Sequence, residues 1–448
     1  MRQDPSIAEK FQDLHPPFAP QAARVEADRC LNCFDAPCTA ACPTHIDVPR
    51  FIGKIARDNL RGSALTILDA NVLGESCSRA CPVDVLCEGA CVFHRCNQQP
   101  IQIARLQRFA MDAFHASGGT LPRRSTVERA EKIACIGAGP ASLACAAELR
   151  QRGFQATIFE RRPLPGGLNT YGVAEYKLPA RASVEEIELI RKLGVEFRHG
   201  VEIATEADIA ALERAFDALF LGVGLGPAHR LGIPGDDHRD VIDALEFIAQ
   251  YKTDTPPQVA ESVAVIGAGN TAIDAANAAR RLGAANVAIL YRRTQRQMPA
   301  FSFEYEHAKQ EGVRFLWRVM PVRIHADEGG IRSLECVQVQ IGEGGALSPV
   351  PGSTFHFDCG QIICAIGQSP LLQLLSAVRG VELRHGRVAV DRPTGRTANP
   401  KYYAGGDCVN GGREVVDAVA DGKRSGIAIA EHLERAAQGA GSPEAVHA

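Results

Sequence analysis

The sequence predicts an α-helical, cysteine-rich N-terminal domain followed by two α/β domains of Rossmann type, and three observations carry that prediction. Nine of the 15 cysteines lie between Cys30 and Cys96. Farther on, KIACIGAGPASLACAAELRQRG (132–153) and SVAVIGAGNTAIDAANAARRLG (262–283) share an apolar strand, a glycine turn and an alanine-rich helix ending at glycine. Near the C-terminus, Gly405-Gly406-Asp407 stands between a strand-like and a helix-like run. A strand whose glycine turn opens a helix marks a dinucleotide site, because glycine lets backbone amides approach a pyrophosphate.

Bulk properties narrow the classes. A chain of 448 residues is too long for one simple core, so two to four domains are expected. A hydrophobic share of 46%, a charged share of 23% and a net charge of −3 argue against disorder. They give no electrostatic case for nucleic acid or an anionic membrane as partner. The start, MRQDPSIAEKF, lacks the apolar region of a secretory signal. No run approaches about 18 uninterrupted apolar residues, so no membrane span is expected. The expected location is the cytoplasm, where crowded cysteines read as metal ligands rather than disulfides.

The cysteines form two groups. Cys30, Cys33, Cys38 and Cys42 follow C-x2-C-x4-C-x3-C and precede Pro43. Cys77, Cys81, Cys87 and Cys91 follow C-x3-C-x5-C-x3-C, with Pro82 after the second member. Thiolates are soft ligands for iron–sulfur clusters or zinc. Zinc ribbons favour two CxxC pairs and only one is present, so two [4Fe–4S] clusters are the expected occupants. Cys96 lies outside both patterns and reads as an ordinary thiol.

In the first glycine turn, Gly137-Ala138-Gly139-Pro140-Ala141-Ser142, the first glycine makes the bend and the second admits the pyrophosphate. Ser142 replaces the third glycine. Glu160 ends the next strand, ATIFE, 23 residues after Gly137, where an acid can hold ribose hydroxyls. Gly166-Gly167 then follows, as at a flavin site. Leu168, Lys177, Gly406 and Asp407 complete the expected FAD contacts, Asp407 as a partner for the ribityl chain. Its alternative reading is a helix-capping acid.

The second turn is Gly267-Ala268-Gly269-Asn270-Thr271-Ala272. Its next strand, NVAILY, ends in Tyr291-Arg292-Arg293, with Arg296 close by. Arginines there accommodate the 2′-phosphate of NADP, whereas an acid would favour NAD. NADPH is therefore the expected donor, with NADH as the alternative and a solvated surface turn as the bland reading of the arginines. Ala365, Ile366 and Gly367 complete the expected NAD(P) contacts. Two such sites suit hydride transfer between nicotinamide and flavin, which needs no side-chain nucleophile. No catalytic side chain is nominated, and the 13 scattered histidines read as surface residues rather than ligands.

Over about residues 25–435 the chain resembles the NAD(P)H/FAD/iron–sulfur subunit of bacterial dihydropyrimidine dehydrogenase, in a wider group that includes glutamate synthase small subunits. CLNCFDAPCTAACP, CSRACPVDVLCEGAC and PIQIARLQRF carry the resemblance. It implies one cluster on Cys30, Cys33, Cys38 and Cys91, and another on Cys42, Cys81, Cys87 and Gln107. The residues alone would select Cys77 over a glutamine for the last position. The resemblance also implies an adrenodoxin-reductase-like flavin oxidoreductase body. Its expected divisions are a helical domain at 1–125, an FAD domain at 126–255 and 371–448, and an NAD(P) domain inserted at 256–370. TDTPPQVAE (253–261) reads as a linker, the closing helix is expected near Val415, and the tail after Ala436 is expected to fray.

The implied role is electron input: from NAD(P)H through FAD and the clusters to a partner subunit that carries FMN and iron–sulfur clusters and reduces uracil or thymine. Alternatives are a glutamate synthase small subunit or another acceptor's electron-transfer subunit, and a non-enzymatic redox or nucleotide sensor. A flavin disulfide reductase is disfavoured, because Cys135 and Cys145 do not form a redox CxxC pair.

Overall fold

Apolar residues at helical spacing build the N-terminal region of the computed structural model, which describes residues 5–253 and 256–440. In the helix Val48–Ala56 the buried positions are Val48, Phe51, Ile52 and Ile55, one face of a 3.6-residue period. Asp47 starts that helix by accepting a hydrogen bond from Arg50 N at 3.2 Å, with Pro49 in its first turn. Asn59 caps Leu60–Ala70 in the same way, accepting from Gly62 N at 2.8 Å. Ile103–Ala116 adds Ile103, Leu106, Ala110, Met111 and Phe114 to the same core. The cysteines sit in turns and helices of seven residues or fewer between these elements, so their backbone can bend around a common centre.

The chain folds into two units. One comprises the residues up to Leu14, Thr170–Ala180 and Gly226–Ser369. The other comprises His15–Asn169, Arg181–Leu225 and the chain from Pro370 on, so the helical head belongs to it.

The unit that includes the head contains a five-stranded parallel sheet in the order Tyr402–Ala404, Ala218–Leu221, Lys132–Ile136, Gln155–Glu160, Glu196–His199. The helix Pro140–Gln151 is buried from Ala141 on and packs beside the long helix Val415–Ala440. Continuously apolar strands such as KIACI are what a parallel sheet covered on both faces requires. The head is fastened to this body by a buried carboxylate: Glu186 accepts from Glu75 N at 2.6 Å, Ser76 N at 3.1 Å and Ser76 Oγ at 2.6 Å.

The other unit repeats the design in a second parallel sheet, ordered Val241–Asp243, Gln361–Cys364, Ser262–Ile266, Asn286–Tyr291, Arg314–Trp317. An antiparallel sheet of Val319–Asp327, Gly330–Ile341, Leu347–Pro349 and Phe355–Asp358 lies in the same unit.

The divisions differ from those expected. Residues 226–253 join the second nucleotide unit because Val241–Asp243 pairs with Gln361–Cys364, and Thr170–Ala180 joins it as well. Part of the expected linker lies outside the described residues. The closing helix starts at Val415 and continues past Ala436 to Ala440. The residues after it lie outside those described. Among the described residues no helix is long and apolar enough to cross a membrane.

Candidate redox-cofactor sites

Cys30, Cys33, Cys38 and Cys91 line one cavity, walled by apolar side chains that include Val48, Ile52 and Phe93. The fourth sulfur thus comes from the second sequence group. Burial, then neighbouring cysteines, pushes the Cys30 thiol above its ordinary value, and burial pushes Cys38 up to about 11.

The remaining cysteines gather separately. The Cys81 thiol is hydrogen-bonded to Cys77 and feels Cys87 and Cys42. Cys42 Sγ lies 3.3 Å from Thr44 Oγ1. Gln107 is buried, and its Nε2 donates to Gly74 O at 2.7 Å, at the start of the helix that carries Cys77. Cys77 therefore sits beside this group, and Gln107 is tied to the first residue of the helix that carries Cys77. Cys96 is exposed and apart from the first cavity. Buried soft thiols that would repel one another as thiolates are the donor set an iron–sulfur cluster neutralises, so the residues fit such a group.

At the first glycine turn, Gly137 has φ +87°, and a Cβ there would stand 2.7 Å from Gly222 O. Gly139 precedes the helix Pro140–Gln151, whose first amides are oriented for a phosphate. Ala138 N donates to Glu160 Oε2 at 2.8 Å, and Arg162 N to Glu160 Oε1 at 2.8 Å, fixing the acid at the strand end. A Cβ on Gly167 would stand 2.9 Å from Gly139 Cα, so that second loop closes against the turn. Leu168 is exposed beside it. Pro140, Ala141 and Ser142 form the first turn of the helix, and the Ser142 hydroxyl is buried without a partner.

Gly406 N donates to Asp421 Oδ2 at 3.0 Å, and Arg413 N to Asp407 Oδ1 at 3.3 Å. Burial, with Asp421 and Asp417 nearby, holds the Asp407 carboxyl above its usual range. An acid so placed gains from a neutral hydroxyl donor, which is what a ribityl chain offers.

The second turn is built like the first. Gly267 has φ +123°, and a Cβ there would collide with Ala365 O. Ala365 N in turn donates to Ile266 O at 2.8 Å, so the two loops form one rim. Gly269 precedes the helix Asn270–Leu282, which contains Thr271. Asn270 Oδ1 accepts from Phe301 N at 3.1 Å, and Ala268 O from Ala300 N at 3.2 Å. Ile366 is exposed, and Gly367 O accepts from His229 N at 3.0 Å. Arg292 and Arg296 are exposed and Arg293 half-buried. Among the described residues no carboxylate pairs with any of the three.

Lys177 belongs to this unit and not to the one that holds Gly137 and Asp407. Its ammonium is buried between Asp274, at 2.5 Å, and Glu304. Burial works against its charge, but the two carboxylates hold its pKa above the ordinary value. Sequence reading overlooked this network, which also includes the Tyr176 hydroxyl donating to Asp274 Oδ1 at 3.0 Å. It overlooked Lys252 too, fully buried and donating to Val173 O at 2.6 Å and Leu178 O at 2.8 Å. A charged residue inside a helical apolar pattern, as in ALEFIAQYKT, was the available signal.

Comparison with known proteins places these features in context. Residues 7–119 match the family described as dihydropyrimidine dehydrogenase domain II, 4Fe-4S cluster, and residues 131–422 match pyridine nucleotide-disulphide oxidoreductase. The chain is 33% identical to the glutamate synthase [NADPH] small chain of Halomonas elongata, over 97% of each. It is 33% identical to the NAD-dependent dihydropyrimidine dehydrogenase subunit PreT of Escherichia coli O157:H7, over 95% of this chain and 98% of that one. Identity to the NADP(+)-dependent formate dehydrogenase subunit beta of Moorella thermoacetica is 35% over 91% of this chain, which spans 61% of that longer protein. Among solved structures, FprA of Mycobacterium tuberculosis in complex with NADPH aligns with a TM-score of 0.56 and 18% identity, over 70% of this chain and 87% of that one. That last likeness is one of fold. A 4Fe–4S head, FAD and NAD(P)H are thus the cofactor set of this architecture.

Proposed function

The chain belongs to the pyridine nucleotide-disulphide oxidoreductase family, within its flavin and iron–sulfur electron-transfer subunits, and on that premise we propose that it is the electron-input subunit of a dihydropyrimidine dehydrogenase. When bound, the cofactors would carry electrons from NAD(P)H through FAD and two [4Fe–4S] clusters to a partner subunit that reduces uracil or thymine to the 5,6-dihydropyrimidine. The chain's residues bind and orient these groups. Gly137–Ser142, Glu160, Gly167, Leu168, Gly406 and Asp407 hold FAD. Ala268–Thr271, Ala365–Gly367 and the three arginines hold the nicotinamide dinucleotide, with Arg292, Arg293 and Arg296 reaching the 2′-phosphate of NADPH. Cys30, Cys33, Cys38 and Cys91 hold one cluster; Cys42, Cys81, Cys87 and Gln107 hold the other.

The observation that carries the reading is the convergence of Cys91 with Cys30, Cys33 and Cys38 on one cavity. Interleaving of the two sequence groups is the arrangement expected of paired clusters in an electron-transfer head. The partner is inferred from the relative that is itself a dihydropyrimidine dehydrogenase subunit. A glutamate synthase small chain is the second reading, favoured by an equal identity over nearly all of both chains.

Anaerobic copurification tests the two. A partner that binds FMN, with uracil reduced at the expense of NADH or NADPH, supports the first reading. A glutamine-amidotransferase partner overturns it in favour of the second.

A further inference from the structure

Three side chains that the redox route leaves unused meet on one face of the antiparallel sheet. Glu335 lies at the middle of Gly330–Ile341, directly opposite His356 on Phe355–Asp358. Ser333, two residues earlier and so on the same face, lies opposite His325 on Val319–Asp327. One donor atom from each of His325, Glu335 and His356 lies within 4.8 Å of the others. His325 Nε2 is 2.8 Å from Glu335 Oε2, and the two imidazole rings are 5.0 Å apart.

We propose that His325, Glu335 and His356 form a binding site for a divalent transition-metal ion of the zinc class, separate from the cysteine head. An ion pair between His325 and Glu335 would account for one histidine but not for the second beside it. A metal uses all three, since two imidazoles and a carboxylate are a common zinc set, with bonds of about 2.0–2.2 Å and an open fourth position for water. Small side-chain rotations close the present spacing to that range, because the donor atoms already lie within 4.8 Å of one another on three paired strands. His356 Nδ1 lies 3.1 Å from Ser333 Oγ, a contact that orients the ring and leaves its other nitrogen for the ion. Glu335 and His325 are half-buried and His356 is exposed, so an ion can enter from solvent. His356 also borders an open cavity. There Arg332 is neutralised by Asp327 at 2.7 Å, whereas Arg314 on the same wall and Arg323, opposite Glu335 on Val319–Asp327, are cations that an entering ion must pass. Cys336, next to Glu335, alternates to the opposite, buried face, so the site offers nitrogen and oxygen rather than sulfur.

The test uses the full chain, purified anaerobically with flavin and clusters retained and washed with a chelator. Zinc alone is titrated against a chromophoric competitor while iron and sulfide contents are monitored. Wild type is expected to take up one more zinc ion per chain than the H325A/H356A double variant, with iron unchanged. Glu335→Gln is expected to weaken that binding by about tenfold or more. X-ray absorption at the zinc edge should show imidazole and oxygen donors. Equal uptake by wild type and the double variant overturns the proposal, as does sulfur bound to the added zinc. No uptake by wild type at micromolar zinc also overturns it. Circular dichroism checks the fold, and if the double variant is unfolded, His356→Ala alone must lose the site.

Discussion

The buried hydroxyl of Ser142 occupies the space that a side chain on Gly222 would need. The third glycine of a dinucleotide turn lets helix and strand pack closely. Here the helix has a serine at that place, and the strand end supplies the missing room with Gly222. Replacing Gly222 with alanine should therefore overpack the junction and cost about 1–3 kcal/mol, with loss of FAD during purification. Thermal unfolding and flavin content measure this. Ser142→Gly in the same chain should restore most of both; without rescue, the pairing of the two positions is wrong.

The arginine turn of the second unit should govern coenzyme choice. Hydrogen bonds to charged groups contribute about 1.5–3 kcal/mol each, so losing both in the Arg292→Gln, Arg293→Gln variant should weaken NADPH about a hundredfold or more. NADH lacks the 2′-phosphate and should change little. Steady-state KM values for both coenzymes with an artificial acceptor give the comparison, and equal losses would remove these arginines from phosphate recognition.

Cluster ligation separates Gln107 from Cys77. Gln107→Ala is expected to lose iron equivalent to one cluster, whereas Cys77→Ala retains it. Iron and acid-labile sulfide per flavin are the measurement. Iron lost only in the cysteine variant would assign the ligand to Cys77, which also adjoins Cys81.

Lys177 balances two buried carboxylates. Lys177→Met should leave Asp274 and Glu304 uncompensated and cost about 3–5 kcal/mol. Adding Asp274→Asn and Glu304→Gln should recover part of that loss, since the polar contacts remain while the charges go. Denaturant unfolding of wild type and both variants would show it; no recovery would mean that Lys177 acts through something other than this pair.

Lys252 sets a pH dependence. Burial pushes its pKa down to about 8 from 10.5, with Glu175 and Asp274 opposing the shift. Between those values the unfolded chain binds more protons than the folded one, so this lysine's contribution to stability rises with pH across that window. The difference in unfolding free energy between wild type and Lys252→Met should accordingly move in favour of wild type from pH 8 to 10.5. A constant difference would mean that burial does not lower the pKa of Lys252 in the folded chain.

Some of this architecture was legible because its signals are local. A glycine needed at φ +87° or +123° and an acid or arginine at the next strand end follow one another within about 25 residues, as such turns require. Cysteine spacing likewise announces soft-metal binding wherever the loops finally lie. Ser142 looked like a modest departure from the pattern, and nothing nearby in the sequence pointed to Gly222.

What the sequence by itself determined is the chemistry of short segments: two dinucleotide turns, two groups of thiols and a run of arginines. Tertiary structure decided which distant segments share a site. It brought Cys91 to the cavity of Cys30, set Lys177 between Asp274 and Glu304, and aligned His325, Glu335 and His356 on one face. The reason is physical. Turn conformation follows from neighbouring residues, whereas strand register and the closure of long loops are set by burying apolar surface across the whole chain.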